Sequence, residues 1–342
     1  MVSRWLVALV VVHPTADSSP TPDSGSESLA LVIAGPTASG KTALALALAQ
    51  ALAPGLAAEI VSCDSVAVYR GLEIGSAKPT AAQRALVPHH LLDVADPDSN
   101  FSAGDYARQA RAAMRAIAAR GAVPILTGGT GLYLRALVQG LFAGPQRNDD
   151  LRQRLVRRQA QRGQGWLHRL LQRLDPVAAA RIHANDTPKL IRALEVTLAA
   201  RRPMTTQLAD GREPLTGFRL LWIGLDPPRP SLYARINARA AQMFDDGLVA
   251  ETESLLARYG PVRALDALGY RQAQALLRGE VALPQAIAAA QQGHRNYAKR
   301  QITWFRREPQ MRWIHAFGDD PQTLPTALAQ IQVQRQSPSR SE

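Results

Sequence analysis

Eight residues, Gly35-Pro36-Thr37-Ala38-Ser39-Gly40-Lys41-Thr42, restrict this chain more than any other stretch, because they fall where two apolar patterns meet. Residues 29–34 have the unbroken apolar character of a strand buried on both faces, and residues 43–53 are too long and too rich in Ala and Leu for anything but a helix. The glycines therefore sit at a strand-to-helix turn. There Gly35 and Gly40 let the backbone close around an anion, and the helix N-terminus aims unpaired N–H groups at it. Lys41 adds charge, and Thr42 can ligate Mg²⁺. The spacing satisfies G-x-x-x-x-G-K-[ST] in full, so residues 35–42 are expected to hold a phosphate ester. Kinases, ATPases and GTPases all use such a loop, and the loop alone leaves the reaction open.

Two further strands end in chemistry. Residues 59–63 form a second apolar run that delivers Asp64 and Ser65 to its end, where parallel α/β sheets keep their sites; an Asp that merely caps the next turn is an equally good reading. A third run, residues 123–126, leads into Thr127-Gly128-Gly129-Thr130-Gly131-Leu132-Tyr133, a second strand-to-helix turn with backbone N–H groups and a hydroxyl to offer the same anion. Strand, loop and helix thus recur around one expected site, which predicts a doubly wound parallel sheet. Between them, Ile74-Gly75-Ser76-Ala77-Lys78-Pro79 is polar and broken by glycine, and is expected to lie outside the core. His89 and His90 point to opposite sides of an extended chain, which favours separate hydrogen bonds over a shared metal. Cys63 is the single cysteine, which excludes an internal disulfide, suits a reducing compartment and reads as a small core residue.

From Arg147 to about Gly211 the pattern is helical and studded with arginine, including Arg152, Arg154, Arg157, Arg158 and Arg162, with no strand signal. Residues 218–225 return to strand. Arg235 and Arg239 then lie four apart on one helix, suited to gripping a diphosphate or to pairing with carboxylates. Gly269-Tyr270-Arg271 reads as a turn, and residues 294–307 interleave cations with aromatics on a helix, a mix that suits nucleic acid unless the aromatics are its buried face. The whole chain has 40 Lys+Arg against 28 Asp+Glu, a formal charge of +12 that favours an extended polyanion as partner. At the N-terminus, Arg4 and the apolar residues 5–12 imitate a secretory signal. That run is short, no small-x-small cleavage site follows, and residues 14–28 are rich in Pro, Ser and Asp. The expected organisation is a disordered extension (1–28), a catalytic core (29–146 and 212–325), a helical insertion (147–211) and a flexible tail (326–342), in a cytoplasmic monomer that does not enter membranes.

Taken in order, Gly35-Pro-Thr-Ala-Ser-Gly-Lys-Thr42, Asp64-Ser65 with Tyr69, Ile74-Gly-Ser-Ala-Lys-Pro79, Gly128-Gly-Thr-Gly-Leu-Tyr133, Arg192-Ala-Leu-Glu195 and Ala298-Lys-Arg-Gln301 with Trp304 resemble the bacterial tRNA dimethylallyltransferases from about Leu29 to about His315. The fold this resemblance implies is α/β, a P-loop NTPase-like doubly wound parallel sheet with an inserted all-helical subdomain. The activity it implies is transfer of a dimethylallyl group from dimethylallyl diphosphate to the exocyclic N6 of adenosine 37, beside the tRNA anticodon. By the same resemblance residues 35–42 hold the donor's diphosphate, and Lys41, Arg239 and Mg²⁺ at Thr42 stabilise the leaving group, with Arg235 as a helper. Asp64 takes a proton from N6 and Thr130 orients the reacting groups. The residues it implies for tRNA are Asp64, Ser65, Val66, Ala67, Thr130, Arg152, Pro188, Lys189, Leu190, Ile191, Arg192, Arg271 and Arg295.

Three departures stand beside the matches. Ala67 occupies a position that is often Gln in the family, Ser76 one that is usually Thr, and His294-Arg295-Asn296 replaces the commoner Thr-Arg-Gln. A small-molecule kinase with the same loop, or an enzyme prenylating free AMP, would share the cradle but has no use for the basic insertion. An RNA-binding protein with a vestigial cradle would not need Lys41 and Thr42.

Overall fold

The computed structural model describes residues 27–336 except 54, 143, 146 and 210, so the expectation for the N-terminal extension lies almost wholly outside the described residues. Strand β1 (Ser28–Ala34) runs through the glycine loop into α1 (Lys41–Leu52). There follow β2 (Ala58–Cys63), α2 (Ala81–Leu86), the short β3 (His89–His90), α3 (Ala103–Ala119), β4 (Val123–Gly128) and α4 (Gly131–Gln139). The helical stretch comprises α5 (Asp149–Arg162), α6 (Trp166–Leu174), α7 (Pro176–Arg181), α8 (Thr187–Ala200) and α9 (Met204–Ala209). Then β5 (Phe218–Leu225) returns to the sheet, before α10 (Arg229–Asp245), α11 (Leu248–Tyr259), α12 (Tyr270–Leu277), α13 (Leu283–Phe305), β6 (Arg312–Ile314) and α14 (Thr323–Gln336).

The strands form one sheet in the order β3-β2-β4-β1-β5-β6, with every pairing parallel. Along β1, Ala30, Val32 and Ala34 pack with Met114 and Ile117 of α3, Leu134 of α4 and Phe305 of α13. Leu31 and Ile33 point the other way, onto Leu44 and Leu48 of α1 and Ala327 and Ile331 of α14. A strand covered on both faces has no polar side to show, hence the unbroken apolar run. Register places Ala34 beside Gly128, and Gly128 beside Cys63, so β1, β4 and β2 end level. The glycine loop, the Gly-Gly-Thr loop and Asp64 therefore leave the sheet side by side at its carboxyl edge.

Helices α5–α8 build a separate core around Leu155, Leu167, Leu171, Leu190 and Leu194. It is tied by Glu195, whose fully buried carboxylate accepts from the Asn148 N–H at 2.7 Å, from Arg152 through two nitrogens at 2.8 Å each, and from Arg192 at 2.7 Å. These donors hold the carboxyl down at about 2 against the penalty of burial.

Two expectations change. Lys78 is not a free cation on an exposed loop: its side chain is 1% exposed, and its amine donates to the Tyr69 carbonyl at 2.6 Å, Glu73 at 2.8 Å and Asp93 at 2.5 Å. Three acceptors in a small space satisfy all three ammonium donors, which is what permits burial. Nor is 326 the start of a flexible tail. Leu324, Ala327, Leu328 and Ile331, at helical spacing, seat α14 against α1, and only 337–342 lie outside the described residues.

Candidate active site

The anion loop takes its shape from left-handed backbone at Ala38 and Gly40, with φ of +63° and +86°. At Gly40 a side chain is also excluded by space, since a Cβ would stand 2.7 Å from the Gly318 nitrogen. That neighbour arrives from the turn after β6, where the Gly318 N–H donates to the Ser39 carbonyl at 2.8 Å. On the other side, Gln301 of α13 clamps the loop: its Oε1 accepts from the Thr37 N–H at 2.7 Å while its Nε2 donates to the Gly129 carbonyl at 3.0 Å. A Cβ on Gly129 would fall 1.9 Å from that nitrogen, so a larger residue there would push the Gln301 amide off the loop.

Lys41 donates to the Pro36 carbonyl at 2.7 Å and lies buried at the cavity floor. Burial, and then the positive charge of Arg239, bring its amine down to about 7, against the opposing pull of Asp64. The Arg239 guanidinium is likewise pushed down by burial and supported by Asp64. Two buried cations that share only the carboxylate of Asp64 repel each other in a low-dielectric site, and a polyanion bound there relieves that repulsion. Asp64 points one oxygen, Oδ1, at the N–H groups of Val66 (2.8 Å) and Ala67 (3.2 Å), while its second oxygen has no hydrogen-bond partner among the described residues. The carboxylate thus caps its turn through one oxygen and leaves the other outside that cap. Behind it, Thr130 Oγ1 accepts from the Ser65 N–H at 3.1 Å and donates to Ser65 Oγ at 3.3 Å. Tyr297 of α13 closes this side, its phenol pushed up to about 12 by burial and by the charge of Asp64.

A cavity of about 430 Å³ is lined by Thr37, Lys41, Thr42, residues 64–67, Arg239 and Arg271 together with Tyr297 and Gln301, with Thr130 behind its wall rather than in it. Thr42, Ser62 and Thr127, all hydroxyl-bearing, also line it, and Thr127 Oγ1 is buried without a hydrogen-bond partner among the described residues. Such hard oxygens suit Mg²⁺. The expected residues separate here. Arg235 turns away from the cavity, bound to Asp319 at 2.7 and 2.9 Å with its guanidinium 3.7 Å above the Phe317 ring, because the turn after β6 offers it a carboxylate and an aromatic face. Leu190 and Ile191 are 0% and 7% exposed in the core of the helical unit, so their side chains have no surface to give a ligand. Arg152 and Arg192 are committed to Glu195, and Arg295 to Asn237 and Gln292. Pro188 and Lys189 are exposed, and Lys189 pairs with Asp186. On the outer faces of α5–α7, Arg154, Arg158, Arg162, Arg169, Arg173 and Arg181 are exposed and form no ion pair with a described residue. Of the aromatics on α13, Phe305 is core, and the indole of Trp304 packs where a Cβ on Gly131 would be.

The arrangement puts a cationic cradle, hydroxyl-bearing residues fit for a divalent cation and one carboxylate on a single cavity, and the same chain carries a basic helical unit. The family model for IPP transferase matches residues 67–308 of this chain. The chain belongs to the IPP transferase family. A tRNA dimethylallyltransferase of Koribacter versatilis (strain Ellin345) is 60% identical over 309 residues, spanning 90% of this chain and 99% of that protein. One from Solibacter usitatus (strain Ellin6076) is 50% identical over 303 residues, spanning 88% and 97%. Among solved structures, the full-length tRNA isopentenylpyrophosphate transferase of Bacillus halodurans aligns with a TM-score of 0.65 at 36% identity, covering 90% of this chain and 96% of that one. A eukaryotic dimethylallyltransferase solved acting on tRNA shares the fold, with a TM-score of 0.73 at 22% identity over 92% of this chain and 81% of that one. This IPP transferase is accordingly a transferase built on a P-loop-like α/β fold. Its relatives are named for tRNA. No described helix is long and apolar enough to cross a membrane.

Sequence reading missed Gln301 as the clamp and Gly318 as the buttress. Gln301 stood inside a quoted motif, but its role depends on α13 crossing two loops far away in sequence.

Proposed function

We propose that this enzyme transfers the dimethylallyl group of dimethylallyl diphosphate to the exocyclic N6 of adenosine 37 in tRNA, releasing diphosphate. One observation carries the reading: the free oxygen of Asp64 and the cations Lys41 and Arg239 share one cavity. In the step itself the allylic C1–O bond breaks and an N6–C1 bond forms. The electron pair of the broken bond leaves with diphosphate, where Lys41 and Arg239 neutralise it, and one N6 proton passes to Asp64. Thr130 holds Ser65 and with it the turn that aims Asp64. Mg²⁺, held by the hydroxyls of Thr42, Ser62 and Thr127, would supply further positive charge to the diphosphate.

An adenine stacked in an anticodon loop cannot reach a recessed carboxylate, so the base must swing out into the cavity. Arg271 lies in the wall such a base would pass. The exposed, unpaired arginines of α5–α7 suit the phosphates of the stem, and this basic helical unit is what a kinase acting on a small molecule would have no use for. A soluble monomer in the cytoplasm fits such a substrate.

The test is incubation of the protein with labelled dimethylallyl diphosphate, Mg²⁺ and either unmodified tRNA or AMP. Label should pass to tRNA alone; label on AMP, or phosphoryl transfer without prenylation, refutes the reading. Asp64→Asn should lower the single-turnover rate by about 10²–10⁴-fold with tRNA affinity nearly unchanged, as for loss of a general base.

A further inference from the structure

His294, on α13, is a polar group of the cavity wall to which the reaction as written gives no task. Its Nε2 is buried and has no hydrogen-bond partner among the described residues. An orphaned buried nitrogen is uncommon in a folded protein, and at an active site a ligand is one explanation for it. The ring lines the catalytic cavity with Thr37, Lys41 and Arg239, and it also borders a void of about 10 Å³ that touches Thr37, Ala38 and Arg239. In both places its neighbours are the anion loop and the cation that faces it. Burial and the charge of Arg239 hold the imidazole down at about 4, so near neutral pH it carries one N–H and no charge. Arg239 on α10 is the charge that acts on it, and the cavity it lines also carries Lys41 on α1, Asp64 after β2, Arg271 on α12 and Arg300 on α13. Arg235 and Arg295 are occupied with Asp319 and with Asn237.

We propose that His294 is a further ligand of the diphosphate: Nε2–H donates to an oxygen of the seated group, beside Arg239, and is satisfied only in the substrate complex. The proposal rests on the reading that the diphosphate occupies the cradle. The competing explanation is a water in the 10 Å³ void, which would satisfy the nitrogen with or without substrate.

The probe is inorganic diphosphate with Mg²⁺, titrated calorimetrically into the full-length protein and its His294→Leu and His294→Gln variants. His294→Leu should bind about 10- to 100-fold more weakly, the range for one hydrogen bond to a charged partner, and His294→Gln, whose amide keeps a donor, within about threefold of the parent. In turnover, His294→Leu should raise KM for the allylic diphosphate more than it lowers kcat. Removing an orphan nitrogen should also leave the melting temperature of the ligand-free His294→Leu protein at or above that of the parent, whereas a structural histidine would lower it. Parental affinity in His294→Leu overturns the inference alone. A loss of affinity that Gln does not rescue and that comes with a lower melting temperature overturns it as well. No binding of diphosphate by the parent protein overturns the cradle reading along with it.

Discussion

Replacing Gln301 by alanine tests how the two glycine loops are kept in register. The side chain is 5% exposed and makes two hydrogen bonds to main chain, from the Thr37 N–H and to the Gly129 carbonyl, over separations of 264 and 172 residues. Alanine removes both and leaves a donor and an acceptor unpaired. Each costs about 1–3 kcal/mol when buried, a range of about 2–6 kcal/mol in all. Because Thr37 lines the cavity and water can reach it, the lower part of that range applies, about 2–3 kcal/mol. Urea denaturation reads this directly from the midpoint at constant slope. Gln301→Glu sharpens the test. A carboxylate can still accept from Thr37 but sets its second oxygen against the Gly129 carbonyl, and only its protonated form reproduces the glutamine. Its folded-state pKa must then lie above the unfolded value, so its stability relative to the parent protein is highest at acid pH and is lost as pH rises through the folded pKa. An alanine variant within about 0.5 kcal/mol of the parent, or a glutamate variant with no such pH dependence, would falsify the clamp.

Three other outcomes are expected. Lys41 sits at about 7 in the free protein, and a bound polyanion must raise it, so binding takes up a proton; affinity for Mg²⁺-diphosphate should fall by up to about tenfold per unit as pH rises above 7, and Lys41→Arg should abolish the slope in calorimetry. Glu195 is held at about 2, below its unfolded value, so its contribution is fully present above pH 4.5 and is lost as pH falls towards 2. Glu195→Gln should therefore destabilise the protein by about 2–3 kcal/mol at neutral pH, less than a wholly buried pair because Arg152 and Arg192 are partly exposed, and the difference should shrink in acid denaturation. Reversing Arg154, Arg157 and Arg158 together should weaken tRNA binding and flatten its dependence on log salt by roughly 0.7–0.9 per lost contact; an unchanged slope would move the contact surface elsewhere.

The sequence was most informative where local chemistry and local structure coincide. A strand buried on both faces must be apolar throughout, and a turn that bares N–H groups to an anion needs glycine, so β1, the loop and α1 could be read together. The same holds for Asp64 and the Gly-Gly-Thr loop, each at a strand end. It was least informative about what a charged side chain meets. Lys41 is marked by its place in the glycine loop, but nothing local in the sequence separates Arg235 from Arg239 or shows that Lys78 is spoken for, yet Tyr69, Glu73 and Asp93 bury Lys78, and Asp319 with Phe317 claims Arg235. The apolar period of α14 was present in the sequence, but the polar residues around it concealed a helix that completes one face of the sheet.

The sequence by itself determined that a parallel sheet would carry an anion loop with a carboxylate one strand-end away, because glycine placement and apolar runs act over a few residues. Only the tertiary structure decided that Arg239, and not Arg235 or Lys78, joins Lys41 at that cavity, because what each cation meets depends on how separate elements pack. It also decided that Gln301 holds the two loops together and that His294 Nε2 lies beside them without a hydrogen-bond partner among the described residues, since both depend on where α13 crosses the end of the sheet.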